Sequence, residues 1–140
     1  QRLLSNSMPH FFEVAQNPGV QYQLSGFVPG QALPVLTNDA GGDVVTFADG
    51  AFMVEVSGFE INGNATGSGI AGTNNSAVSI NRNVIQNGLN GIALTNLTGL
   101  QADDRGSFIV NNIIRNNAED GINVSNSGVA PLDLVIANNA

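Results

Sequence analysis

Short apolar runs broken by asparagine and glycine dominate the second half of this chain. One stretch reads Ile80-Asn81-Arg82-Asn83-Val84-Ile85-Gln86-Asn87-Gly88-Leu89-Asn90-Gly91-Ile92-Ala93-Leu94. Another reads Ile109-Val110-Asn111-Asn112-Ile113-Ile114-Arg115-Asn116-Asn117-Ala118-Glu119-Asp120-Gly121-Ile122-Asn123-Val124. The interruptions come every four to six residues, so no apolar stripe of helical period survives them. Short alternating runs bounded by Gly, Asn and Asp read as strands. Alternation places Val78 with Ile80, and Ile122 with Val124, on one strand face.

The two stretches are copies. Val78-x-Ile80-x-x-Asn83 lies over Ser107-x-Ile109-x-x-Asn112 and again over Leu134-x-Ile136-x-x-Asn139, at offsets of 29 and 27 residues. Gly91-Ile92-Ala93-Leu94 matches Gly121-Ile122-Asn123-Val124. A looser earlier copy runs through Val54–Asn64 and Gly69–Gly72. Self-similarity at such a period, with three short strands per unit, predicts a solenoid. A lone coil cannot hide its inward side chains, whereas stacked coils set like over like at the strand-pairing distance of about 4.8 Å. Asn at the bends tolerates a left-handed backbone. Its amide can also bond to the Asn one coil above, forming a ladder.

The pattern predicts an all-β fold of about five to six coils, one domain over 1–140, less regular over 1–43 and clearly repeating over 44–140. Arg2–Leu4, Phe11–Val14, Val20–Leu24 and Ala32–Leu36 are expected as strands of earlier coils. Pro18-Gly19, Pro29-Gly30 and Asp39-Ala40-Gly41-Gly42 are turn signals between them. Pro34 marks its strand as an edge or bent one.

Composition narrows the function. The chain has 140 residues, four Arg and no Lys against eleven acids, a net charge of −7, and no Cys. It therefore lacks the basic stripe that nucleic acid demands and the thiolates of a disulfide or zinc site. No apolar run approaches the length of a membrane-spanning helix. Asn is the informative residue, since 17 of its 20 copies lie from Asn62 onward, where the repeat is clear. Residue 1 is Gln and the last residues halt mid-pattern, which suggests a piece of a longer protein.

The segments Ser79–Leu94 and Phe108–Val124 resemble the right-handed parallel β-helix repeats of the pectate-lyase-like superfamily. Pro34–Gly63 is similar to the lead-in coils of large exported bacterial β-helix proteins. The resemblance implies an extracellular or cell-surface protein. It implies no single activity, since this architecture serves lyases, hydrolases, adhesins and inert fibres.

An enzyme of that superfamily would place a polysaccharide groove on a strand face. Asp103 and Asp104 are the candidate carboxylates, with Arg115 or Arg82 as the basic residue. A Ca²⁺ site would draw Asp103, Asp104, Glu119 and Asp120 together, because that ion needs six to eight converging oxygens. The plainer reading makes Gln101–Gly106 a solvated acidic loop and puts Arg82 and Arg115 on the outer face, pairing with Glu60 and neighbouring acids. The family's Gly-His-Gly, Arg-x-Lys and Asn-Thr-Asp signatures are missing. Gly41–Asp49 offers a single incomplete calcium-roll step. His10, the one histidine, has no metal-ligating company in the sequence. Without Trp, and with only Tyr22, the seven Phe suit internal stacks better than a sugar platform. The expectation is a structural or adhesive module that binds polysaccharide weakly if at all. Its open ends would meet the remainder of the parent chain or other copies.

Overall fold

The computed structural model describes residues 2–5, 11–13, 21–23, 31–99, 106–126 and 132–140. Among them there is no helix. The chain winds as a parallel β-solenoid of about four turns. Its complete coils each hold three strands: β4 (Val35–Thr37), β5 (Val45–Thr46) and β6 (Phe52–Ser57); β7 (Glu60–Asn62), β8 (Ile70–Thr73) and β9 (Ser76–Asn81). The next are β10 (Val84–Gln86), β11 (Ile92–Thr95) and β12 (Ser107–Val110), then β13 (Ile113–Arg115), β14 (Ile122–Val124) and β15 (Leu134–Ala137). β1 (Arg2–Leu4) lies beneath β6.

Corresponding strands stack into three sheets. Sheet 1 has the order β1-β6-β9-β12-β15, sheet 2 the order β4-β7-β10-β13, and sheet 3 the order β5-β8-β11-β14. Five strands at the parallel spacing make sheet 1 about 19 Å tall. The registers reproduce the repeat alignment: Ile80 pairs with Ile109 and Ile109 with Ile136, while Ile92 pairs with Ile122.

The expected five to six coils are too many. β2 (Phe11–Glu13) and β3 (Gln21–Gln23) form strands, but they pair with each other antiparallel. An antiparallel pair turns back on itself and adds no coil. Only the first and last of the four expected N-terminal strands join the stack.

The inward positions form one continuous core. Ile61 and Ile85 of sheet 2, Ile70 and Ile92 of sheet 3, and Val78, Ile80 and Ile109 of sheet 1 are fully buried. Burying a side chain of that size is worth about 1.5–3 kcal/mol. Leu97 fills the corner between sheets 3 and 1.

The Asn ladder exists, with a division of labour at the corner after sheet 1. The left-handed residue is Arg82, Asn111 or Asn138, with φ of 56°, 58° and 55°. The following Asn turns inward. Asn83 Nδ2 donates to Asn112 Oδ1 (3.1 Å), and Asn112 Nδ2 to Asn139 Oδ1 (3.0 Å). Their second amide hydrogens go to Val56 O and Ile80 O one coil below, both at 3.0 Å. Each Oδ1 also accepts a main-chain N–H from the coil below: Phe59 to Asn83, Asn83 to Asn112 and Asn112 to Asn139. Asn83 and Asn112 are only 1% exposed, so these bonds replace water completely.

The corner between sheets 3 and 1 is less complete. Asn75 Nδ2 donates to Ala48 O and Ala51 O, but its buried Oδ1 has no partner. The coil above carries Leu97 at that position instead of a second Asn. On the outside of the same corner the ladder is intact: Asn96 donates to Asn74 and Asn74 to Asp49, each at 2.6 Å.

Asn112→Ala is expected to leave the Asn83 main-chain N–H and one Asn83 Nδ2 hydrogen without an acceptor, and to take the Asn112 donor from the Ile80 carbonyl. Each such group costs about 1–3 kcal/mol, so a loss of at least ~2 kcal/mol is expected. Urea unfolding checks it: the midpoint should fall with an unchanged slope. Ile85→Ala at the core centre is expected to cost about 2–5 kcal/mol by the same measurement.

Candidate functional site

The outward face of sheet 1 carries a shallow groove with both apolar and charged walls. The column Arg2, Glu55, Ser79, Phe108, Val135 climbs this face in register. Met53 and Ala77 stack beside it and close a groove of about 400 Å³. Arg2 Nε sits 3.1 Å from Glu55 Oε2. Both groups are partly solvated, so the pair is worth at most about 1 kcal/mol.

The groove exists because the strands kink. Met53 and Ala77, the second residues of β6 and β9, have φ of 52° and 49°. Neither Met nor Ala favours that region, which costs about 1–2 kcal/mol per residue. The same point admits an insertion one coil higher. Ser76 pairs with Thr98, and Ser79 with Phe108, so residues 99–107 replace the two that follow Ser76. The kink and the inserted loop are two solutions to one break in strand geometry. The sequence carried a trace of this: the step from β10 to β13 is 29 residues, against 24 from β7 to β10.

The aromatic expectation needs correction. Phe47 and Phe59 are buried as anticipated, but Phe52 is 61% exposed and Phe108 42% exposed. Both belong to sheet 1, whose inward positions are already filled by Val, Ile and Ser. Phe11 and Phe12 lie in β2, and Phe27 lies outside the described residues.

The sequence-derived site residues do not assemble among the described residues. Asp103 and Asp104 lie outside them, as does His10. Glu119 and Asp120 occupy an exposed turn between β13 and β14. Their main-chain amides reach down to Leu89 O and Asn90 Oδ1, and Asp120 Oδ2 accepts from Asn123 Nδ2 at 2.8 Å. No group of three acidic, His or Cys side chains fit to hold a metal occurs among the described residues. Arg115 is on sheet 2, outside the stack. It donates to Gln86 Oε1 (2.9 Å), and Gln86 donates to Glu60 Oε1 (3.0 Å). Arg115 does not pair with Glu60 directly as expected; Gln86 lies between them and bonds to both. Arg82 occupies the left-handed corner after β9.

A second, polar hollow lies where the turns between sheets 2 and 3 of the first two coils meet, near Asn38, Asp39, Asn64 and Thr66. Its donors are internally engaged. Asn64 Nδ2 serves Asn38 O and Gly42 O, Asn38 Nδ2 serves Gly41 O and Asp43 O, and Thr66 Oγ1 donates to Asn64 Oδ1.

Comparison with protein-family models, curated proteins and solved structures finds no match to this chain. The parallel solenoid therefore stands on its own geometry.

Ala77→Gly is expected to relieve the left-handed strain at the groove. After the entropic cost of Gly, the gain should be about 0.5–1 kcal/mol. A higher urea midpoint, with the far-ultraviolet circular dichroism unchanged, is the expected result.

Proposed function

We propose that this chain is a structural or adhesive β-helix module of an exported, cell-surface bacterial protein, working through its ends. The observation that carries the reading is the contrast between interior coils and the last one. Ile85, Ile92 and Ile109 are 0% exposed, whereas Ile136, stacked directly on Ile109, is 50% exposed. Ile114, Ile122, Val124 and Leu134 are only partly covered. Each inward side chain is buried by the coil above it, and the outermost rung retains apolar surface and unpaired strand edge for another rung. The remainder of a parent chain, or another copy, is the natural occupant. Bacterial export is supported by the resemblance to exported β-helix proteins and by the Asn-rich, Cys-free composition.

The sheet 1 groove supports weak glycan binding as an accessory property, with the exposed Phe108 ring as an apolar wall and Glu55, Arg2 and Ser79 as polar contacts. The alternative from another class is a pectate-lyase-like polysaccharide lyase or glycoside hydrolase. It would need Asp103 and Asp104 brought to a basic residue such as Arg115, with Ca²⁺ held in company with Glu119 and Asp120.

Sedimentation velocity over a range of concentrations tests the first reading. Self-association is expected, and Ile136→Lys, which sets a charge on the exposed rung, should return the chain to monomer. A monodisperse wild-type chain throughout would count against it. Incubation with polygalacturonate, with and without Ca²⁺, tests the alternative: ultraviolet-absorbing unsaturated product would overturn the scaffold reading.

A further inference from the structure

Side-chain size changes abruptly along the outward column of sheet 1. Ser79, with Ala77 near it on β9, is small, while Met53 and Glu55 stand one coil below and Phe108 one coil above. The result is a notch over β9, about 10 Å from β6 to β12 at the parallel strand spacing. β6, β9 and β12 each pair with a strand on both sides, so the notch belongs to the interior of the stack.

Two observations mark it as a place for an occupant. The first is strain. Met53 and Ala77 hold left-handed φ of 52° and 49° there, a conformation that neither side chain favours. Strain of this kind persists where a site needs the geometry. The second is exposure. Phe108 and Met53 both stay exposed although their strands are flanked on each side. Large apolar side chains exposed together mark a contact surface.

The polar groups say what the occupant carries. Glu55 Oε2 pairs with Arg2 Nε of the coil below at 3.1 Å. Among the described residues Glu55 Oε1 has only Asn81 Nδ2, at a long 3.5 Å. That oxygen keeps acceptor capacity. Ser79 Oγ accepts from Asn81 Nδ2 at 3.1 Å and has a second lone pair. A further carboxylate stands at the upper rim: a Cβ on Gly106, which lines the groove, would lie 3.0 Å from Asp133 Oδ2. Glu55 and Asp133 thus outnumber Arg2 around the groove, in a chain of net charge −7. An anion is disfavoured there, and a cation able to lie against an aromatic ring is favoured.

We propose that the notch receives an arginine side chain of a partner polypeptide. Its guanidinium donates to Glu55 Oε1 and Ser79 Oγ and lies against the Phe108 ring, while its methylene stem follows Met53 and Ala77. The column then runs Arg2, Glu55, guanidinium, Phe108, with opposite partners alternating up to the ring. A guanidinium suits the place better than an ammonium, being planar, weakly hydrated and rich in donors. The groove is too shallow to enclose a small molecule, which ordinarily buries most of its surface on binding. The cation is therefore presented by a chain that also rests on the surrounding face. This inference goes beyond the module reading and does not depend on self-association.

The test is a proton–nitrogen NMR titration of the 140-residue chain with acetyl-Gly-Arg-Gly-amide. The citrulline counterpart, uncharged but of the same shape, and methyl glucoside are titrated in parallel. Saturable shifts are expected at the amides of Glu55, Ser79 and Phe108 with the arginine peptide and not with the citrulline one. Added salt should weaken the binding. Glu55→Gln should raise Kd about tenfold. Phe108→Leu should raise it about threefold. Circular dichroism confirms that each variant is folded. Were either to unfold, the two peptides compared on the native chain decide the matter. Equal binding of the citrulline peptide would overturn the proposal, as would an arginine peptide that gives no saturable shift at these amides. Tighter binding of methyl glucoside at the same amides would also overturn it, and would leave glycan binding as the role of the groove.

Discussion

The corner amides of Phe59, Asn83 and Asn112 find their acceptors in a neighbouring coil, 24 to 29 residues away along the chain, and the architecture depends on that exchange. A strand hydrogen-bonds along its length wherever a neighbour lies beside it. A corner cannot, because its N–H and C=O groups turn toward the axis, where water is excluded. Asn83, Asn112 and Asn139 meet the demand by behaving as side-chain peptides. Each supplies an acceptor to the coil below; Asn83 and Asn112 also donate to the coils on either side, and Asn139 donates to the coil below. Buried polar groups left unmet are costly, so the ladder fixes register as well as adding stability.

The ladder also explains why the residues before it vary. Arg82, Asn111 and Asn138 share a left-handed conformation although Arg82 lacks the amide of the other two. The corner needs that backbone turn, and the inward Asn holds it in place from inside. Where the partner changes, satisfaction fails: Asn75 has Leu97 above it and keeps an orphan carbonyl oxygen. Among the described residues one other buried side-chain atom, Asn117 Nδ2, is left in the same state.

Directionality follows from the same exchange. The glycine amides of the turns donate upward, so each coil is completed by its successor.

Much of the fold was legible from residues 44–140, because stacking forces like onto like and so writes its register into the sequence. Val78, Ile80 and Asn83 announced their partners by spacing alone, and the helical alternative failed on the same spacing. The N-terminal strands were also visible as strands. Whether Phe11–Glu13 paired with a coil or with Gln21–Gln23 was not, because three-residue runs carry no register information. The candidate acids were chosen by residue type. Type says nothing about convergence, and Glu119 and Asp120 turned out to face solvent on a turn. The sheet 1 groove was hidden because Met53 and Ala77 look like ordinary strand residues; only the fold reveals that they take a left-handed conformation and that Phe108 faces outward. By itself the sequence determined the winding, the core positions and the Asn ladder, since each depends on repetition along the chain. The tertiary structure alone decided which amides are held, which side chains meet and which rung is left open, since those depend on groups far apart in sequence arriving at one place.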